Sequence, residues 1–173
     1  MSGLPTYKML SRYLDTVGNG SGTKNANGNY SGAGLGETIF KIQPAAGSVY
    51  RIARVIISIR DASGFQAEEY GNLAAALSTG IEVRVQNDSG TLIDLTDGIP
   101  ITTNAAWGEL CYDVDLKTWG NGDEFLLVRW TFSRSGTTPQ LVGDRNERLE
   151  FVLNDDLSGL VSHYFLAQGY VEK

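Results

Sequence analysis

From residue 37 onward apolar and polar side chains alternate with a period of two, the signature of strands with one buried and one solvated face. Within Gly47 to Arg60, Val55, Ile57 and Ile59 share one face and Arg54, Ile56, Ser58 and Arg60 the other. The same phase recurs in Ile81, Val83 and Val85 against Glu82, Arg84 and Gln86, and in Leu110, Tyr112, Val114 and Leu116 against Cys111, Asp113 and Asp115. It returns in Leu126, Val128, Trp130 and Phe132 against Arg129 and Thr131, and in Leu149, Phe151 and Leu153 against Arg148, Glu150 and Val152. Ser162 to Val171 forms the last strand, and Thr38 to Gln43 and Thr91 to Leu95 bring the total to about eight.

Turn-forming runs separate these strands: Asn87-Asp88-Ser89-Gly90, Asp97-Gly98, Gly120-Asn121-Gly122-Asp123 and Ser135-Gly136. No helical pattern of ten to fifteen residues recurs between them, which excludes a parallel βαβ sheet. The pattern predicts an all-β chain, an antiparallel β-sandwich of the eight-stranded jelly-roll type. Its predicted core is Val55, Ile57, Val83, Val85, Val128, Trp130, Phe151 and Leu153. The stretch 61–80 reads as a long insertion with a helical turn around Leu73 to Leu77, placed at a subunit contact.

The N-terminal part differs. Residues 15–36 are dominated by Gly, Asn, Ser and Thr, with too few apolar groups to offset the entropy of ordering. Before them Leu4, Tyr7, Leu10 and Leu14 recur at spacings of three and four, as on a short helix or an extended docking arm. Two units follow: an arm over residues 1–36 and a sandwich over residues 37–173. Leu4, Tyr7, Leu10, Tyr13 and Leu14 are expected to bind a partner through the arm, the alternative being that they pack back on their own sandwich. Ile56, between Arg54 and Ser58, and Phe125 and Leu127, beside Arg129, put apolar groups on otherwise polar faces. They are expected at contacts between copies of the chain.

Composition narrows the chemistry. A net charge of −6 leaves no basic face for nucleic acid or an anionic membrane surface, and no apolar run reaches the roughly 18 residues of a membrane span. Residues 1–8 lack the basic patch and apolar stretch of a secretory signal, so export by that route is not expected. The single cysteine, Cys111, excludes an intrachain disulfide and cysteine-based zinc clusters, and its neighbours Asp113 and Asp115 disfavour a reactive thiolate. The single histidine, His163, lies in an alternating strand and reads as structural. Ser158 lacks the flanking glycine of a nucleophile elbow.

The acids at Asp94/Asp97, Asp113/Asp115 and Asp155-Asp156 match no glycosidase or calcium motif, and turn capping is the expected role of Asp97, Asp155 and Asp156. No cofactor or metal is expected, and no enzyme. Trp107 and Trp119, near strand ends, leave a sugar-stacking or partner-filling role open.

Taken together, YLDTVGNGSGTKNANGNYS, VYRIARVIISIRDA, WGELCYDVDLKTWGNGDEFLLVRWTFSRSG and ERLEFVLNDDLSGLVSHYFLAQGYVE resemble small virion proteins of tailed bacteriophages, of the decoration or cement kind. The resemblance spans most of residues 13–172. It implies a jelly-roll or related sandwich, a place on the capsid exterior, the major capsid protein as partner and a homotrimer. A carbohydrate-binding module using Trp107, Trp119, Tyr70 or Tyr112, and a neck or tail component, are the alternative readings.

Overall fold

The computed structural model describes residues 7–20, 38–61, 79–96, 98, 100–101, 114–119, 124–132, 138–155 and 162–172. They form ten strands: β1 (Tyr7–Tyr13), β2 (Thr38–Ile42), β3 (Val49–Asp61), β4 (Ile81–Asn87), β5 (Gly90–Asp94), β6 (Val114–Trp119), β7 (Glu124–Thr131), β8 (Gln140–Val142), β9 (Arg148–Leu153) and β10 (Ser162–Glu172). Gly143–Arg145 forms a 3-10 turn. The chain is all-β, built from two antiparallel sheets.

The first sheet has the order β1-β10-β3-β7-β6, with β8 also on β3, and the second has the order β2-β9-β4-β5. The thirteen residues of β3 are long enough to take two partners in succession along one edge. Val49 to Arg51 pair with β8 and Arg54 to Asp61 with β7, while β10 runs along the other edge.

The two sheets close on one core. Val55 and Ile57 of β3, Trp130 of β7 and Phe165 and Ala167 of β10 are buried together with Val83 and Val85 of β4 and Leu149, Phe151 and Leu153 of β9. Phe165 joins the sheets directly, its ring 4.7 Å from Phe40 of β2 and 5.6 Å from Phe151 of β9. Such pairs add roughly 0.5–1.5 kcal/mol beyond the area they bury. The expected core positions are thus buried, apart from Val128, whose side chain lies outside the described set.

Strict alternation fails at one point of β3. Arg54 stands opposite Gln168 and Ile52 opposite Gly169, so Ala53 is an extra residue in the ladder, a β-bulge. It reverses the phase, which is why Ile52 and Val55, three positions apart, are both buried. The partner residue must be glycine: a Cβ on Gly169 would lie 1.9 Å from the Arg51 carbonyl oxygen.

The N-terminal residues differ from the expected docking arm. β1 pairs with β10 along its whole length, from Tyr7 opposite Glu172 to Tyr13 opposite Leu166. Leu10 and Leu14 are 2% and 3% exposed within the common core. The Leu14 amide donates to the Phe165 carbonyl at 2.8 Å. Residues 7–14 therefore belong to the sandwich, and Leu10 and Leu14 are spent on their own core instead of a partner. The physical reason is the edge position. Lys8 and Arg12 share the strand face of Leu10 and Leu14 yet stay exposed at the open rim, a common protection of edge strands. Beyond β1, the Asp15 and Lys41 amides each donate to the other's carbonyl, and Gln43 donates to Gly18, which lays residues 15–18 along β2. Leu4, residues 21–36 and residues 62–78 of the insertion lie outside the described residues.

Two strands lack a sequence forecast, β1 and the three-residue β8, and β6 begins at Val114 with residues 110–113 outside the described set. Because Leu10 is a core residue, Leu10→Ala is expected to lower unfolding free energy by about 2–5 kcal/mol in a denaturant titration. A loss under about 0.5 kcal/mol, as for a surface site, would return β1 to the role of a detachable arm.

Candidate functional site

The sandwich has two outer faces, and they differ in chemistry. On the second sheet the outward positions of β4 and β9 carry the ionic side chains Glu82, Arg84, Arg148 and Glu150 together with Val152, which is buried. Glu150 of β9, 2% exposed as a residue, accepts from Arg84 Nε at 3.0 Å and from Arg148 Nε at 2.6 Å. Arg148 also reaches Asp88 at 3.2 Å, whose other oxygen accepts from the Asn146 amide at 2.8 Å. Asn154 donates to Glu82 on the neighbouring strand at 3.2 Å. Donors and acceptors on this face are largely matched within the chain.

On the first sheet the outward face combines apolar and aromatic side chains with Arg54, Arg129 and Gln168. The ladder places Tyr13, Leu166 and Ile56 side by side across β1, β10 and β3, with Arg129 next in line on β7. Tyr13 is 37% exposed and Leu166 and Ile56 are partly exposed. Tyr164, one outward position away on β10, meets Tyr13 edge-on at 5.8 Å. In the other direction along the strands, Met9 stands opposite Tyr170, and its side chain is 88% exposed.

Between these rows lies an open groove of about 390 Å³, a size typical of small binding sites. It follows the transverse line Ser11, Gln168, Arg54, Thr131 and is bordered by Met9 and Tyr170. The β-bulge makes it: Gly169 and Ala53 leave little side chain in the floor. Arg54 is exposed, and the described lining residues include no acid. The groove thus offers a guanidinium, an amide and hydroxyls set in an apolar surround. That combination can take a carboxylate or carbonyl oxygen of a partner while its apolar side chains cover Met9, Tyr13, Leu166 and Ile56.

Of the residues expected from sequence to bind partners, Tyr13 and Ile56 are brought into this one face, joined by Leu166. Leu10 and Leu14 are removed from it by burial. Tyr7, Phe125 and Leu127 are placed through their backbones, opposite Glu172, Arg60 and Ser58, and Leu4 lies outside the described residues. Leu166, Met9, Tyr164, Tyr170 and Gln168 were not singled out by sequence. The available signal was a last strand with apolar residues at both parities, Tyr164, Leu166 and Tyr170 as well as Phe165 and Ala167.

Of the acids expected to cap turns only Asp155 is described, and it bonds backbone amides 75 and 76 residues away instead of its own turn, local capping falling to Asp94. Asp155 is buried and accepts from the Thr79 and Gly80 amides at 3.0 and 2.6 Å, pinning the end of the 61–80 stretch to β9. Asp94 accepts from the Thr96 amide and hydroxyl and from the Gly98 amide. Among the described residues no three His, Cys, Asp or Glu side chains come together to hold a metal ion. His163 pairs with Ile59 in the ladder, Trp119 with Phe125, and Trp107, Cys111, Asp97, Asp156 and Ser158 lie outside the described residues.

Compared with protein-family models, with curated proteins and with solved structures, the chain matches none.

The two faces are expected to respond oppositely to substitution. Glu150→Gln removes charge from two arginine contacts and should cost about 1.5–3 kcal/mol in thermal or denaturant unfolding. Ile56→Ser, on the partly exposed apolar face, should cost less than that. The reverse order would mean that the apolar face is packed within the chain and is not a contact surface.

Proposed function

We propose that this chain is a non-enzymatic structural protein of a virus particle, which decorates or cements the outer capsid surface of a tailed phage by laying the outer face of its first sheet on the major capsid protein. The observation that carries the reading is the contrast between the two outer faces. One is self-satisfied by ion pairs around Glu150. The other exposes Met9, Tyr13, Leu166 and Ile56 around an arginine-bearing groove. A protein held between a particle and water needs such a division: apolar area and hydrogen-bonding anchors on the side that is covered, compensated charge on the side that stays wet.

One further feature supports the same reading. The strand order has β1, β10, β3 and β7 in one sheet and β2, β9, β4 and β5 in the other. From β1 to β4 each successive strand switches sheet, and the chain switches again at β6, β9 and β10. We take this order as two interlocked Greek keys, a jelly roll, with β6 and β8 added to the first sheet.

The test is particle association. Mass spectrometry of gradient-purified particles from the encoding phage should recover the chain at a fixed ratio to the major capsid protein. Added to particles that lack it, the wild-type chain should co-sediment, whereas a folded Ile56→Lys/Leu166→Asp variant should bind at least about tenfold more weakly, which corresponds to a loss of 1.4 kcal/mol. Absence of the chain from purified particles, or undiminished binding by the variant, would refute the proposal.

A further inference from the structure

The exposed surface also contains two patches at opposite ends of the sandwich, away from the outer face of the first sheet, the second of them adjoining the ionic face through Asp88. β1 is the terminal strand of the first sheet and β2 of the second, and residues 14–18 bridge them. They therefore share one end. β5 terminates the second sheet three strands away from β2, at the other end.

The first end is basic and apolar. Lys8 and Arg12 are exposed on the β1 rim, and Val17 is 73% exposed. Val17 is held in that position, because the Asp15 carboxylate accepts from the Val17 amide at 2.8 Å and from the Gly18 amide. The other end is acidic and apolar. Leu92 and Ile93 are 48% and 43% exposed, with Asp88 and Asp94 on either side. Asp88 keeps its side chain 70% exposed while touching Arg148. Edge strands are commonly blunted by lysine, proline or covering segments. β2 has such cover in residues 15–18 and β1 has Lys8 and Arg12, whereas Gly90–Asp94 carries no cation and no proline.

We infer that copies of this chain join head to tail, the Lys8/Arg12/Val17 end of one seated on the Asp88/Leu92/Ile93/Asp94 end of the next. Opposite charge and paired apolar groups match across the two ends. Like ends would set Lys8 and Arg12 against their own copies, or Asp88 and Asp94 against theirs, and like-charge contact disfavours both isologous arrangements. A joint between different patches is heterologous, and it closes into a ring when the rotation between copies permits. It uses neither the groove nor the apolar face of the first sheet, so it stands or falls separately from particle binding.

Mixing of complementary variants tests it. One variant carries Arg12→Glu and Val17→Asp; the other carries Leu92→Lys and Ile93→Lys. Sedimentation or light scattering should find the wild type associated and each variant monomeric at 18.7 kDa. An equimolar mixture should associate where neither variant alone does, since the intact acidic end of the first variant still meets the intact basic end of the second. Lys8→Glu, confined to the rim, should weaken wild-type association without altering the melting temperature. A variant that had merely misfolded would not associate on mixing. The inference is overturned if the wild type is monomeric at every concentration, if either variant alone still associates, or if the mixture stays monomeric.

Discussion

Contact between the two sheets through Phe165 is the constraint on which everything else depends. Its ring lies against Phe40 and Phe151, so one β10 side chain fixes the spacing of β2 and β9 beneath it. Once Phe165 points inward, the period of two sends Tyr164, Leu166 and Gln168 outward, and the ladder aligns them with Tyr13, Ile56 and Arg54. The apolar outer face is therefore a consequence of core packing. β10 must fill the interior with one parity, and the residues of the other parity decide what the molecule shows to its surroundings.

The β-bulge at Ala53 does for shape what Phe165 does for orientation. It breaks the regular pleat where β10 has a glycine too close to Arg51 to accept a Cβ, and the resulting depression runs across four strands. Arg54, the residue beside the bulge, is thereby aimed into a groove with no acidic neighbour among the described residues of its lining. On the second sheet the opposite solution holds: Glu150 lies between Arg84 and Arg148, and the face needs no partner to compensate it. In a chain with a net charge of −6, the described residues lining the groove around Arg54 include no acid.

Much of this fold was legible from alternation alone, and the reasons for the exceptions are local. Val55 and Ile57, Val83 and Val85, and Phe151 and Leu153 announced their faces because each strand has one dry and one wetter side. β1 reads as an arm because its apolar residues are followed by a long Gly/Asn/Ser-rich segment, while the helical spacing of Leu4, Tyr7, Leu10 and Leu14 and the charges Lys8 and Arg12 on the Leu10 side hide the strand period. An edge strand tolerates such charges, and local sequence does not announce that a strand will lie at an edge. β8, at three residues, is too short to carry a period. Of the outer face, Tyr13 and Ile56 were legible as apolar groups in polar company. Leu166 was not, because in β10 apolar residues occupy both parities and only pairing with β3 and β1 tells which side is inward.

Hydroxyl-radical footprinting of the free and particle-bound chain tests the assignment of faces most directly, since methionine and tyrosine side chains report their own exposure. The account predicts that Met9 and Tyr13, at 88% and 37% exposure in the free chain, become protected on the particle together with Leu166 and Tyr170. Outward positions of the second sheet, around Arg84 and Arg148, should keep their reactivity. Unchanged oxidation of Met9 on the particle, with protection moved to the second sheet, would contradict it.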